Sequence, residues 1–183
     1  MTCSGDDRGV PARGLRITCV HQGYELYGSD RCFIETVRAM RAAHPRAEID
    51  VVLPQAGPIV AALEPYASRI VVEPLWILRR KNLPRLATLG MMALPGAVLR
   101  ALRRIRASDL VFINTSVVAD YLLAARLSPG RSIVHVHEIA EGAVLAVLRG
   151  LIRWSGASVV FNSRATERAF ALPPHLLTRV VYN

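Results

Sequence analysis

Short apolar runs alternate along the chain with longer stretches in which apolar residues recur at helical spacing. The short runs are typical of buried strands, and the longer stretches are typical of helices that bury one face. Strands are predicted at residues 15–20, 48–53, 69–72, 109–114, 132–137, 157–161 and from 180 to 182. Helices are predicted at residues 30–43, 59–63, 117–127, 143–154 and 164–170, with two helical pieces within 75–107.

This alternation predicts the fold class. Apolar strands that follow one another through helices form parallel βαβ units, whose helices cover both faces of the sheet. We therefore predict an α/β fold, a Rossmann-like parallel sheet with helices on both faces. Ligands of such sheets bind beyond the carboxyl ends of the strands. That rule selects the loops after four residues: Val20, Asn114, His137 and Phe161.

Length and charge add constraints on the partners. The 183 residues suit one domain with a full core, and residues 1–14 are predicted to be a flexible lead that lacks the apolar segment of a signal peptide. The formal net charge of +9 favours an anionic partner, which is nucleic acid, a membrane surface or a phosphorylated ligand. The longest uncharged stretch, residues 86–99, is shorter than the roughly 20 residues of a spanning helix. No transmembrane helix is predicted.

The cysteines Cys3, Cys19 and Cys32 form no C-x-x-C pair, and their odd number gives no disulfide framework. Core packing is expected for Cys19 in the first strand and Cys32 in the first helix. Free thiols fit a reducing compartment, so we expect a cytoplasmic protein.

The loop after the first strand, HQGYELYGSD, imitates a phosphate-binding loop with Gly23 and Gly28. A P-loop needs lysine after the second glycine and then serine or threonine for magnesium, and Ser29 and Asp30 occupy these places. The fingerprint G-x-G-x-x-G is also absent from the sequence, so an ATPase or a dinucleotide enzyme is not predicted. The backbone N–H groups of Gly28 and Ser29 at a helix N-terminus would still attract an anion. The alternative is a tight turn with Ser29 or Asp30 as the helix cap.

Two histidines and a carboxylate end the fifth strand: His135, His137 and Glu138. Because side chains alternate along a strand, both histidines lie on one face. They suit zinc, but no clear third ligand is near in the sequence, so no metal site is predicted. A histidine beside a carboxylate at this edge of a parallel sheet suits polar or acid–base work, and a structural histidine is the alternative.

A basic segment without aspartate or glutamate spans residues 75–107. Its apolar residues fall on one helical face, which leaves three arginines largely off that face: Arg100, Arg103 and Arg104. This pattern is typical of a helix on an anionic membrane surface, and an ordinary surface helix packed on the sheet is the alternative. The segment has few aromatic residues for base stacking, so no nucleic-acid partner is predicted.

Three motifs, taken in their order and spacing, resemble a known family. They are ELYGSDR at 25–31 after the first strand, VHVHE at 134–138 and VFNS at 160–163 before a helix. They resemble the N-terminal domain of glycosyltransferase family 4 over nearly the whole chain after residue 15. The resemblance implies that residues 15–183 are one half of a GT-B fold, the acceptor-side Rossmann-like domain.

The resemblance also implies an activity of the hexosyltransferase type. Sugar would pass from a nucleotide-sugar to a glycan or lipid-linked acceptor, as in polysaccharide biosynthesis, without a metal or other cofactor. Gly28 and Ser29 would line the cleft near the donor diphosphate. His137, with Glu138 beside it, would be the catalytic histidine near the reacting sugar, although His135 is an open alternative. Substrate contacts are further implied for His135, Asn162 and Ser163.

The sequence departs from the family in two ways. The family often has adjacent glycines in the first loop, where this chain has Tyr27-Gly28-Ser29. The family's second domain, with its paired glutamates and most of the nucleotide contacts, has no counterpart in residues 1–183, so a donor-binding second domain or chain is an expected partner. The alternative is a non-catalytic remnant that docks on a protein or on the inner face of the plasma membrane.

Overall fold

A computed structural model describes residues 14–78, 91–137 and 141–182 of the chain. Within these ranges, the strands β1 to β7 are Arg16–His21, Glu48–Leu53, Arg69–Val72, Leu110–Asn114, Ser132–Val136, Ser158–Phe161 and Thr178–Val180. The helices α1 to α6 are Gly28–Ala43, Ile59–Leu63, Met91–Ala107, Ala119–Arg126, Gly142–Ser155 and Arg164–Phe170. The predicted β2, β3 and α2 match these bounds, and the other predicted elements agree to within two residues at each end.

The seven strands form one parallel sheet with the order β3-β2-β1-β4-β5-β6-β7. The chain runs outward from β1 to β3, returns to the centre, and runs outward again from β4 to β7. The order therefore reverses between β1 and β4, and ligands of open α/β sheets bind at the carboxyl ends of the strands at such a point. There, His21 of β1 is in register with Asn114 of β4.

Helices cover both faces of the sheet, which confirms the predicted α/β class. On one face α1 and α2 bury Phe33, Val37 and Ile59 against the central strands. On the other face α3, α4 and α5 bury Ile105, Leu122 and other apolar side chains. Cys19 is fully buried among the first group, as expected for a core thiol.

Residues 91–107 of the basic segment form the helix α3, which contains Pro95. It packs on the sheet through buried residues of its apolar face: Ala97, Ala101, Leu102 and Ile105. Two helical pieces are predicted within residues 75–107, and α3 is one of them. Residues 79–90 of this segment lie outside the described residues, as do residues 1–13 of the predicted lead. Within the described ranges, no helix has the length and hydropathy that a membrane span requires.

Candidate functional site

The carboxyl end of β1 carries a buried histidine paired with an aspartate in the first turn of α1. Nε2 of His21 lies 2.7 Å from Oδ1 of Asp30, and both side chains are almost completely buried. Oδ2 of Asp30 accepts the backbone N–H groups of Leu26, at 2.8 Å, and Tyr27, at 3.0 Å. Burial raises the pKa of Asp30, but these hydrogen bonds outweigh it and hold the pKa below its usual value. Asp30 is therefore a charged acceptor that points into the protein.

The two glycines of the first loop have different surroundings. A Cβ at Gly23 would lie 2.0 Å from Oδ1 of Asp30 and 2.8 Å from Nε2 of His21. A Cβ at Gly28, at the exposed start of α1, would meet no atom within 4 Å. Gly23 is thus the glycine that permits the buried pair, whereas Gly28 leaves open space before the helix N-terminus.

A line of hydrogen bonds continues from His21 along the edge of the sheet. Nδ2 of Asn114 lies 2.9 Å from Nδ1 of His21, and Oδ1 of Asn114 lies 2.7 Å from Nε2 of His137. A carboxylate only accepts, so Nε2–H of His21 donates to Asp30, and the amide nitrogen of Asn114, which faces Nδ1 of His21, donates to that atom. The oxygen of that amide then accepts Nε2–H of His137. With the amide of Asn114 in this orientation, the proton of a neutral His137 is on Nε2 and its Nδ1 is unprotonated.

The end of β6 holds the backbone of His137. Nδ2 of Asn162 donates to the His137 carbonyl oxygen at 2.8 Å, and Oδ1 of Asn162 accepts from the Thr166 hydroxyl at 2.8 Å. Ser163 is the N-cap of α6, and its Oγ accepts the backbone N–H of Thr166 at 3.1 Å. Asn162 and Ser163 thus have structural roles, and their contact with substrate stays a prediction.

Strained backbone flanks this network. Leu26, whose N–H is bound by Asp30, has φ of +91°, and Thr115, directly after Asn114, has φ of +127°. Residues with side chains rarely adopt such angles, and the strain persists where the surrounding structure imposes it. The loops after β1 and β4 are therefore held in place at the point where the strand order reverses.

The ring of His135 in β5 lies beside the ring of His137, which directly follows the strand. The side chain of His135 is buried, yet neither ring nitrogen has a hydrogen-bond partner among the described residues. The ring centroids of the two histidines are 3.8 Å apart, and Phe112 packs against His135 at 5.8 Å. Burial, followed by the nearby His137, lowers the pKa of His135 to about 4. This burial is at odds with the predicted substrate contact for His135 and favours the partly exposed His137 for that role.

Burial also lowers the pKa of His137, with a further contribution from His21. The half-buried Cys32 of α1 approaches both rings of β5, and its Sγ and a nitrogen of each ring lie within 4.8 Å of one another. The two histidines are close in the sequence, and the fold places Cys32 of α1 next to them. Glu138, predicted to assist His137, lies outside the described residues.

The three arginines of α3 lie away from this edge. They line an open groove of about 730 Å³ on one face of the sheet, together with acidic residues of β2. Nη2 of Arg104 forms an ion pair with Glu73 at 2.9 Å, and Arg100 donates to the Pro74 carbonyl oxygen at 3.2 Å. Arg103 is exposed. The predicted membrane contact remains a prediction. Of the three arginines, Arg104 is the least suited to it, because its charge is paired with Glu73.

Sequence reasoning missed two members of the network, His21 and Asn114, and the space that Gly23 leaves for the His21–Asp30 pair. It also treated Asp30 as a candidate helix cap and not as the partner of a buried histidine. A signal was present, because each of the four apolar strands selected by the binding rule is followed by or ends in a polar residue: His21, Asn114, His137 and Asn162. What the sequence lacks is the strand order, which places these four residues side by side.

The sequence matches no family model, and no curated protein matches it. Among solved structures, the fold is similar to HepE of Anabaena. The TM-score is 0.69 with 22% identity to HepE in complex with UDP and glucose, and 0.67 with 23% identity to HepE in complex with UDP. Each match covers 92% of this chain and 44% of HepE, so the chain spans less than half of that protein's length. The fold is that of one half of a GT-B structure, as the motifs imply.

Proposed function

We propose that this chain is the acceptor-side half of a glycosyltransferase, which moves a sugar from a nucleotide-sugar to a glycan or lipid-linked acceptor without a metal. The observation that carries the proposal is the hydrogen-bonded line from Asp30 through His21 and Asn114 to His137. It lies at the carboxyl edge of the sheet where the strand order reverses, the usual ligand position in such folds. The likeness to HepE, which was solved with UDP and with glucose, supports a nucleotide-sugar as the ligand class.

The proposed division of labour follows from the chemistry of these groups. Gly28 and Ser29 offer backbone N–H groups at the N-terminus of α1, where the helix dipole favours the donor diphosphate. His137 offers an unprotonated Nδ1, which can accept a hydrogen bond from a sugar hydroxyl. Asp30, His21 and Asn114 are positioning residues, because they act through His137. Membership of glycosyltransferase family 4 and the assistance of Glu138 are part of the same proposal.

An NMR titration of the 15N-labelled 183-residue chain with UDP-glucose, UDP and glucose tests this function. Weak binding is expected, with a Kd on the order of 1 mM, since most nucleotide contacts would come from a second half. The amide signals of Gly28 and Ser29 should shift with both UDP ligands. The His137→Ala variant should lose the response that depends on glucose, and the exposed His175→Ala is the matched control.

Two results would contradict the proposal in different ways. Tight binding together with turnover by this chain alone would show that no donor-binding half is needed. Unchanged signals of Gly28, Ser29 and His137 at saturating ligand would remove the sugar-transfer assignment of this edge.

A second function concerns an anionic membrane surface, and it is favoured by the exposed residues of α3. Arg100 and Arg103 are exposed beside the exposed apolar side chains of Met92 and Leu99. Such a surface suits an enzyme with a lipid-linked acceptor, peripheral on the inner face of the plasma membrane, or a non-catalytic docking remnant. Flotation with anionic vesicles should be lost in an Arg100→Gln/Arg103→Gln variant.

The matched control for flotation is Arg38→Gln/Arg168→Gln, which removes the same charge from other helices. Equal flotation of both double variants would show that vesicle binding depends on net charge and not on the position of the arginines on α3. Flotation without any response to nucleotide-sugar would favour the docking remnant over the enzyme.

A further inference from the structure

Three side chains with metal-binding groups meet between α1 and the end of β5. Sγ of Cys32 and a ring nitrogen of His135 and of His137 lie within 4.8 Å of one another. Thiolate and imidazole are the ligands typical of zinc and related borderline ions. We propose that Cys32, His135 and His137 bind a divalent ion of the zinc type. The sugar transfer proposed above uses no metal, so the ion would have a different role at the same edge of the sheet.

His135 is the strongest reason to expect an ion. Polar groups in protein interiors are almost always hydrogen-bonded, because an unpaired buried donor or acceptor loses its contact with water. Both ring nitrogens of the buried His135 lack a hydrogen-bond partner among the described residues. One coordination bond would satisfy the nitrogen that faces His137 and Cys32. Core packing alone gives no reason for an imidazole at this position.

The orientation of the Asn114 amide favours the His137 tautomer that a metal ligand requires. Nε2–H of His137 donates to Oδ1 of Asn114 at 2.7 Å, so Nδ1 is the nitrogen left for a metal ion. Histidine ligands usually donate their second ring N–H to a carboxylate or carbonyl oxygen, which fixes the ring and raises its basicity. The amide of Asn114 does this here, and it is itself held by His21 and Asp30.

Cys32 completes the set from a different element. Its side chain is half-buried, which leaves a route for an ion, and the thiol gives up its proton on binding. A tetrahedral zinc site places S and N ligands roughly 3.3–3.6 Å apart, so small side-chain rotations would close the observed spacing. Three protein ligands leave the fourth position open to water.

Metal binding has a consequence that rests on the proposed function. The ion would occupy Nδ1 of His137, the atom assigned to the sugar hydroxyl. A loaded site would therefore block the sugar contact of His137, and zinc would inhibit transfer. The metal site itself is independent of that assignment, because binding is measured without any sugar ligand.

The test is a titration of the reduced, metal-free 183-residue chain with Co²⁺, followed by absorption spectroscopy. One Co²⁺ per chain should give a thiolate-to-cobalt charge-transfer band and the intense visible bands of tetrahedral cobalt, and Zn²⁺ should displace it. Cys32→Ser should abolish the charge-transfer band. His135→Ala should lower the affinity at least 10-fold, and Asn114→Ala roughly 10–100-fold through loss of the ring orientation.

Matched controls separate this site from other thiols and imidazoles. Cys3→Ser removes a thiol elsewhere in the chain and His175→Ala an exposed histidine, and both should bind Co²⁺ like the wild type. Far-ultraviolet circular dichroism of each metal-free variant checks the fold. A measurement that needs no variant is alkylation of Cys32 in the wild type, located by peptide mass spectrometry, which Zn²⁺ should slow.

The proposal is overturned if the wild type shows no charge-transfer band, if Cys32→Ser keeps the band, or if Zn²⁺ leaves the alkylation of Cys32 unchanged. The sugar-transfer proposal can fail separately. A chain that binds Co²⁺ as described but gives no NMR response to UDP-glucose in the metal-free form would keep the metal site and lose the transferase. A metal-free chain that responds to UDP-glucose but never binds Co²⁺ would keep the sugar-transfer proposal and lose the metal site.

Discussion

The first turns of α1 and α4 each bury an aspartate, on opposite sides of the point where the strand order reverses. Asp30 of α1 is 2% exposed and Asp120 of α4 is 1% exposed. Burial acts to raise the pKa of both carboxyl groups. The pKa of Asp30 nevertheless falls below its usual value, whereas that of Asp120 rises to about 6.

The partners explain the difference. Asp30 accepts the imidazole N–H of His21 at 2.7 Å and two backbone N–H groups at 2.8 and 3.0 Å. Asp120 accepts the backbone N–H groups of Trp76 at 3.2 Å and Tyr121 at 3.1 Å, and Arg100 adds a charge from the surface. The hydrogen bond from His21 thus has no counterpart at Asp120, where burial outweighs the backbone hydrogen bonds and raises the pKa. The better-bonded carboxylate is the one that anchors the candidate site.

The largest effect on stability is expected for Gly23→Ala, which should disrupt the hydrogen bond between His21 and Asp30. The new Cβ would overlap Oδ1 of Asp30, so the carboxylate and His21 must separate in the interior. Leaving the buried, charged Asp30 without its imidazole partner should cost at least about 3 kcal/mol of unfolding free energy. Urea unfolding measures this loss. The control is Gly28→Ala, which has open space and should change stability by no more than about 1 kcal/mol.

Asp120→Asn tests the other side of the comparison. Because the pKa of Asp120 is raised to about 6, the folded protein holds this proton more tightly than the unfolded chain. That stabilisation is present below about pH 4 and is lost as the pH rises to about 6. Between about pH 4 and pH 6, the wild type should therefore lose up to about 3 kcal/mol of unfolding free energy relative to Asp120→Asn. A stability difference that does not change between pH 4 and 6 would contradict the raised pKa.

Asp30→Asn should show the opposite dependence on pH. The lowered pKa of Asp30 stabilises the folded protein above about pH 4, and this contribution is lost as the pH falls through the folded-state pKa. At pH 7 the variant should be less stable by about 2 kcal/mol, the value of hydrogen bonds to a charged acceptor. Urea unfolding at several pH values should show the gap narrowing below pH 4. A gap that widens there would show that Asp30 is not held in its charged form.

The smallest effect is expected for Arg100→Gln. Arg100 is exposed, and its charge lowers the pKa of Asp120 only as the last of several causes. Its removal should raise the pKa of Asp120 by less than about half a unit, since exposed charges interact weakly. Carboxyl carbon NMR during a pH titration measures both aspartates in one sample. The pKa of Asp30 should not move, and Arg103→Gln is the control for net charge.

The sequence predicts the fold well because strand and helix periodicities are local signals. Asp30 and Asp120 look alike in the sequence, since both follow an apolar strand at a helix start. Their difference depends on contacts that span the chain: Asp120 meets Trp76, and the His21 that pairs with Asp30 is fixed by Asn114, 93 residues away. For the same reason, the sequence does not reveal that Cys32 lies near His135 and His137. Such contacts follow from strand order, which periodicity does not encode.

The central claim is that the network from Asp30 presents Nδ1 of His137 to a ligand at the edge of the sheet. Long-range 1H–15N correlation spectra of the metal-free chain measure this directly, because they distinguish the two imidazole tautomers. The account predicts a neutral His137 with its proton on Nε2, and a shift of the Nδ1 signal when UDP-glucose is added. A proton on Nδ1 of His137, or an Nδ1 signal that does not respond to UDP-glucose, would contradict it.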